Sequence, residues 1–465
     1  MSSVEEETGR YSLSETRKLG EVRKGYTGFI EGDVIFAKIT PCMENGKVAY
    51  LEKLVNGIGF GSTEFHVSRP TSSVSGKYLF YNLVQQIFRK EAKRSMTGSA
   101  GQLRVSTNYF AEQPFPLSPL PEQRAIVSKI ELLFSELDNG IANLKLAQQQ
   151  LKVYRQAVLK KAFEGELTKK WREKQTNLPD AGDLLDRIRK EREEAAKTSG
   201  KRLKKIEHFK ESELGELPSL PTGWSWTRLG EVTYKIGDVD HKMPKDYPNG
   251  IPYVATKDFT DELKIDFSTS KTISKEDYLA LSEKIKPEIG DIIFPRYGTI
   301  GKNILVDFNK EFLASYSCAI IKNISKFLDV KYVYQYLFSP TIKNEIRKYI
   351  RETTQANVGI ASIELFIFPF CSLPEQQAIV QEIETRLSIC DKVEQDIEDN
   401  LVIAEALRQS ILKKAFEGEL LNERELAEVR MEKDWEPAEI LLEKIKAERA
   451  GNVKKTLMPL SLIHI

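Results

Sequence analysis

An α+β fold is predicted, with two mixed α/β lobes joined by two long helices that form an antiparallel coiled coil. Internal duplication would give the whole a pseudo-twofold symmetry. Three observations predict this. The segment from Leu120 to Leu167 recurs from Leu373 to Leu420 without a gap, with 22 of the 48 positions identical. Both copies carry apolar residues every seven positions, the period of helix pairing. The segments before each copy hold short β-type runs such as Val34-Ile-Phe36 and Ile292-Ile-Phe294, broken by Gly, Pro, Asn and Asp.

The duplication is strongest at the ends of the copies. Leu120-Pro-Glu-Gln-Arg-Ala-Ile-Val127 returns as Leu373-Pro-Glu-Gln-Gln-Ala-Ile-Val380, and Leu159-Lys-Lys-Ala-Phe-Glu-Gly-Glu-Leu167 returns unchanged as Leu412 to Leu420. Upstream, Gly32-Asp-Val-Ile-Phe-Ala-Lys38 pairs with Gly290-Asp-Ile-Ile-Phe-Pro-Arg296. Self-similarity on this scale means a repeated structural unit. Six segments follow: a first lobe over 1–119, a long helix over 120–167, a short amphipathic helix and charged linker over 168–216, a second lobe over 217–372, a second long helix over 373–420, and a helical region and tail over 421–465.

The seam is expected to run through Ile130, Leu137, Leu144, Leu151 and Val158 on the first helix, and through Ile383, Cys390, Ile397, Ala404 and Ile411 on the second. Tyr154, Leu401, Val393 and Leu407 widen the stripes. Each helix opens on a proline in its first turn, Pro121 or Pro374, and stops near a glycine, Gly165 or Gly418. Forty-odd residues make a rod of roughly 60 Å.

The two lobes differ in length. Met1 aligns near Val254, so the first lobe is expected to lack one or two strands and to expose a sheet edge.

Composition excludes several functions. The chain has 465 residues, 41% hydrophobic and 29% charged, with a net charge of +1. No apolar run is long enough to span a bilayer. The four cysteines lie far apart with no CxxC pair, which fits a reducing compartment and argues against zinc. The four histidines show no metal-ligand spacing. No NPPY- or DPPY-type tetrad and no Gly-rich cofactor loop is present, and Gly298-Thr-Ile-Gly-Lys302 is too short for a phosphate loop. The chain is expected to be non-catalytic and to bind no cofactor or metal.

Nucleic-acid contact suits several matched places. Arg89, Lys90, Lys93 and Arg94 precede the polar loop that ends at Gln102; Arg347, Lys348 and Arg351 precede the loop holding Gln355 and Asn357. A basic turn leading into a small polar loop can hold phosphates and aim Gln or Asn at base edges. Lys38, Lys47, Arg296, Tyr297 and Lys302 follow the Gly-Asp strands. Ser62 and Thr63 match the polar run Ser315-Tyr-Ser317.

The paired Leu-Pro-Glu-Gln and Lys-Lys-Ala-Phe-Glu-Gly-Glu-Leu motifs resemble the conserved regions of the specificity subunits of type I restriction-modification systems. Gly32 to Lys47, Gly61 to Val67 and Pro221 to Glu231 resemble their target-recognition domains. The resemblance implies that each lobe reads one half of a bipartite site in double-stranded DNA, with the coiled coil as a ruler. It implies two methyltransferase subunits docked on the helical regions, restriction/translocase subunits in the complex, and S-adenosylmethionine, ATP and Mg²⁺ on those partners. A cytoplasmic location follows, with no membrane contact. Two other readings are a specificity module for a fused type II methyltransferase-nuclease and a coiled-coil scaffold with no DNA role.

Overall fold

The computed structural model describes residues 1–456, except 14, 23, 100, 200–205, 208, 210, 216, 242, 324–325 and 351–355. The chain forms two compact units, one of residues 1–146 with 397–465 and one of residues 147–396. Each contains one lobe and half of each long helix.

In the first unit a three-stranded antiparallel sheet runs in the order Val48–Tyr50, Val34–Ala37, Phe65–Ser68. The central strand is buried along its whole length, as expected for an apolar run without polar alternation. It starts from a turn in which Gly32 takes a φ of +87°, a conformation that favours glycine. The buried Asp33 closes that turn by accepting the Ile30 N–H at 2.8 Å, and Arg69 grips the same carboxylate with two bonds of 2.8 Å.

The second unit repeats the device. Gly290 has φ +89°, Asp291 accepts the Glu288 N–H at 2.7 Å, and Lys322 lies 2.6 Å from its carboxylate. Its sheet has four antiparallel strands, in the order Ile304–Leu305, Ile292–Pro295, Cys318–Asn323, Thr233–Gly237. Ser225–Arg228 pairs separately with Ile367–Phe370.

The units diverge where the lobes differ in length. In the first, among the described residues, no strand lies on the outer edge of Phe65–Ser68. The isolated bridge Val4↔Tyr11 corresponds to Phe259↔Ile265, which places the opening of the first lobe at the middle of the second. In the second unit Trp224, Leu229 and Val232 cap the core and are almost wholly buried. In the first, Phe115, which corresponds to the fully buried Phe368, is only partly buried.

The long helices run over Leu120–Phe163 and Leu373–Glu417. Gly165 and Gly418, with φ +74° and +81°, follow their ends. They pair antiparallel. In the first unit Ile126, Val127 and Ile130 share a core with Ile411, Leu412 and Ala415, and Arg408 pairs with Asp138 while lying 4.4 Å over the Phe134 ring. In the second, Leu159, Ala162 and Phe163 pack with Ile379, Val380 and Ile383, and Arg155 pairs with Asp391 at 2.7 Å and Glu394 at 2.8 Å. Arg155 and Arg408 are the same position of the repeat.

Ile130, Val158, Ile383, Cys390, Ile397, Ala404 and Ile411 are buried in the seam, and Leu137, Leu144, Leu151 and Leu401 are half-buried. Tyr154, Val393 and Leu407 do not widen it, because they face solvent. Leu137→Asn is expected to cost about 1–2 kcal/mol through lost apolar burial, read as a lower thermal midpoint of the helical signal. An unchanged midpoint would remove Leu137 from the seam.

The repeated Leu-Pro-Glu-Gln has a structural cause. Gln123 is fully buried; it accepts the Ser75 N–H at 2.8 Å and donates to the carbonyls of Ser73 (3.2 Å) and Ser118 (2.8 Å). Gln376, also fully buried, accepts from Asp329 (2.9 Å) and donates to Phe327 (3.1 Å) and Cys371 (2.7 Å). The preceding glutamates each take an indole N–H, Glu375 from Trp224 at 2.9 Å and Glu122 from Trp435 at 3.1 Å. The two tryptophans come from unrelated parts of the sequence, so Trp435 supplies from the C-terminal segment what Trp224 supplies from the start of the second lobe.

Candidate nucleic-acid interface

Both lobes gather three separate segments into one loop face by the same backbone bonds. In the first, the Lys38 N–H donates to the Glu64 carbonyl at 3.0 Å, and the Val105 N–H donates to the Lys38 carbonyl at 2.9 Å. In the second, the Arg296 N–H donates to the Ser317 carbonyl at 2.8 Å, and the Val358 N–H donates to the Arg296 carbonyl at 3.0 Å. The end of the Gly-Asp strand, the polar run and the loop after the basic helix therefore meet twice. The sequence repeat had paired these three places without showing that they touch.

On the first face Lys38 and Ser62 are half-buried, and Thr63 and Gln102 are exposed. Ser62 Oγ accepts the Glu64 N–H at 3.2 Å. Lys47 is half-buried with Nζ 3.4 Å from the Met1 carbonyl. Lys90 and Arg94 are exposed and make no ion pair among the described residues; Lys93 is 2.9 Å from Glu44. Sequence reasoning missed Arg104, whose guanidinium meets both oxygens of Glu64 at 2.9 Å and holds that carboxyl below the usual carboxylate range. His66 lies behind this face, its Nε2 2.9 Å from the Val105 carbonyl. Burial pushes its imidazole down, so the face does not draw a positive charge from it.

Two expected contacts are corrected. Arg89 is buried, pairs with Glu7 and donates to the Glu44 carbonyl at 2.5 Å. Arg296 is also buried; it pairs with Asp238 and donates to the Val358 carbonyl at 3.0 Å and the Tyr316 carbonyl at 3.3 Å. A guanidinium enclosed and paired in this way braces loops and presents no charge to a phosphate. Lys302 pairs with Asp261.

Elsewhere in the second unit Arg347 is exposed with no ion pair among the described residues. Lys348 stands 3.8 Å from Glu213 and over the Tyr349 ring at 5.2 Å. Tyr297 forms an isolated bridge with Asn357. Arg351 and Gln355 lie outside the described residues.

The second face also contains a cleft of about 580 Å³, lined among others by Tyr253, Lys257, Lys271, Tyr297 and the run Ser315-Tyr-Ser317. Tyr253, Lys257 and Lys271 were not singled out from the repeat, because the clear match between the lobes begins only at Gly32 and Gly290. Among the described residues no group of His, Cys, Asp and Glu could hold a metal ion, and no helix is long and apolar enough to cross a membrane.

Two related lobes, each with a matching polar loop face and each packed on its own stretch of the paired long helices, define a protein with two related recognition surfaces. The type I restriction modification DNA specificity domain matches residues 7–146 and 221–401, so the chain belongs to that family. It is a DNA sequence-specificity subunit of a type I restriction-modification system, the non-catalytic member of such a system. It is 27% identical over 461 residues to the type I restriction enzyme EcoAI specificity subunit of Escherichia coli, covering 86% of this chain and 75% of that one. Two solved structures share its fold. One is a chain from a study of complex assembly and conformational transition of the type I R-M system, with 19% identity, 90% of each chain covered and a TM-score of 0.63. The other is the HsdS subunit from Thermoanaerobacter tengcongensis, with 19% identity, 90% of this chain and 89% of that one covered and a TM-score of 0.55.

Proposed function

We propose that the chain reads a bipartite site in double-stranded DNA, one half with each loop face. In this reading it docks two methyltransferase subunits and joins restriction/translocase subunits in the cytoplasm. S-adenosylmethionine, ATP and Mg²⁺ belong to those partners, which supply all the bond making and breaking. The observation that carries this is the doubled loop face: the same backbone bonds assemble corresponding but unlike segments, Ser62-Thr-Glu64 in one lobe and Ser315-Tyr-Ser317 in the other. One scaffold with two different polar surfaces suits two different half-sites.

Docking on the helices is supported by apolar side chains left in solvent. Val153, Ile389, Val402 and Ile403 are each between 59% and 71% exposed on the long helices, where a lone rod would favour charge. The test is selective DNA binding by the chain assembled with a methyltransferase partner, followed by mapping of the methylated bases. Two methylated positions at fixed separation support the reading; binding without sequence preference refutes it.

Arg347 and Lys348 are both exposed on the second unit, at the end of the basic helix. Reversing both to Glu is expected to weaken binding at least tenfold on specific and non-specific duplexes alike, and to reduce the slope of log affinity against log salt by about two. Equal affinity and slope would move the phosphate path elsewhere.

A further inference from the structure

The cleft in the second lobe is more than a surface groove. Its volume of about 580 Å³ lies within the range of ligand pockets. Tyr253 lies in it and is only 3% exposed; its buried hydroxyl has the Tyr316 backbone as a polar neighbour but no hydrogen bond of full geometry. A buried hydroxyl so weakly satisfied is costly, and an incoming polar edge would complete it.

The walls suit a flat ring. Tyr316 is stacked on His241 with ring centroids 4.9 Å apart, and Tyr297 stands edge-on to Tyr316 at 6.4 Å. Ser315 and Ser317 add hydroxyls, bonded to each other at 2.6 Å. The loop that carries them is fixed by Ser315 N–H to the Val254 carbonyl at 2.7 Å and by the Arg296 N–H on Ser317. Lys257 is exposed and Lys271 half-exposed on the lining, and among the described residues no carboxylate belongs to it. Aromatic faces, hydroxyls at depth and ammonium groups on an acid-free lining match the face of a nucleobase, its polar edge and the phosphate of its nucleotide.

We propose that this cleft seats one nucleobase of the second half-site, turned out of its stack, with its edge toward Tyr253, Ser315 and Ser317. The proposal rests on the DNA-reading function above. A base still paired in the duplex would stop at the mouth of the cleft, short of a hydroxyl beneath the surface. A base turned out of the helix carries its edge inward, with Lys257 and Lys271 taking the flanking phosphates. The first lobe has Glu64, a carboxylate paired with Arg104, where Ser317 stands. An acidic side chain there disfavours a nucleotide, so seating is expected in the second half-site alone.

The test uses the full chain assembled with its methyltransferase partner, on duplexes whose recognised site has been located by methylation mapping. 2-Aminopurine is placed at successive positions of both half-sites other than the adenines found methylated, because a methyltransferase turns out its own target base. One position in the second half-site is expected to brighten at least twofold on binding, and none in the first. Tyr253→Phe is expected to keep its thermal midpoint, because the ring stays packed and the hydroxyl it removes makes no hydrogen bond of full geometry. It should nonetheless lose most of the brightening and relax base preference at that position at least fivefold. Ser317→Ala is the second variant, expected to relax the same position. If the wild-type complex binds its site selectively, yet no position brightens and both variants keep every base preference, the seating proposal falls and the DNA-reading function stands. If the wild-type complex shows no selective binding, both fall.

Discussion

Arg296→Met is expected to destabilise the second unit by about 3 kcal/mol, the scale of breaking a buried ion pair by removing one partner. The side chain lies between Asp238, the Val358 carbonyl and the Tyr316 carbonyl. Methionine fills much of the volume but leaves both carbonyls without this donor. Among the described residues Asp238 then keeps Lys284 and His241, each at 3.2 Å and each on a side chain about half exposed. For a unit of this size the loss corresponds to a fall of roughly 6–12 °C in its unfolding midpoint. Hydrogen exchange should rise first in the Ile292–Pro295 and Cys318–Asn323 strands, which the loops tied by Arg296 adjoin. The outcome separates two roles. A phosphate-contacting arginine would leave stability intact and reduce the salt slope of DNA binding by about one. A bracing arginine does the reverse, and unchanged exchange with a reduced slope would restore Arg296 as a DNA contact.

Arg296 also shows how far the sequence could be read. Its place after the Gly-Asp strand, and its match with Lys38, were visible in the repeat. Whether its charge faces outward was not, because that depends on Asp238, far away in sequence and in a part of the lobe without a counterpart in the first unit. Arg89 was misread for the same reason: its partner Glu7 lies 82 residues away. The helices were far more legible. Their seven-residue period is local, and the seam positions Ile130, Val158, Ile383, Ile397 and Ile411 are buried. Tyr154 and Leu407 were over-read, since two helices in contact need only a narrow stripe. The cleft was partly legible. Tyr297 and the polar run at Ser315 stood out by comparison of the halves, whereas Tyr253 and the two lysines did not, because they precede Gly290, where the clear match between the halves begins.

The largest single effect is expected at Gln376. Gln376→Leu keeps most of the side-chain volume but leaves the Asp329 N–H and the Phe327 and Cys371 carbonyls buried without their partner. Stranding buried backbone groups costs about 1–3 kcal/mol each, so a loss of about 4 kcal/mol is expected, or roughly 8–16 °C in the midpoint of the second unit. The location matters as much as the size. Asp329 caps the Val330–Tyr336 helix by accepting the N–H groups of Lys331 and Tyr332. Gln376 sits in the first turn of the long helix, so its amide ties that helix to the lobe at a helix start. Gln123 ties its own long helix to Ser75, the cap of the Gly76–Leu83 helix, in the same way. A lobe that reads bases must be held in one orientation on its rod, and these two amides hold it. Gln123→Leu should therefore loosen the first unit, Gln376→Leu the second, and the double variant should show the sum of the two losses within about 0.5 kcal/mol. In the assembled complex each single variant should relax base selection in one half-site and leave the other unchanged. If either substitution relaxes both halves equally, the amides are not local ties, and the orientation of each lobe must be set elsewhere.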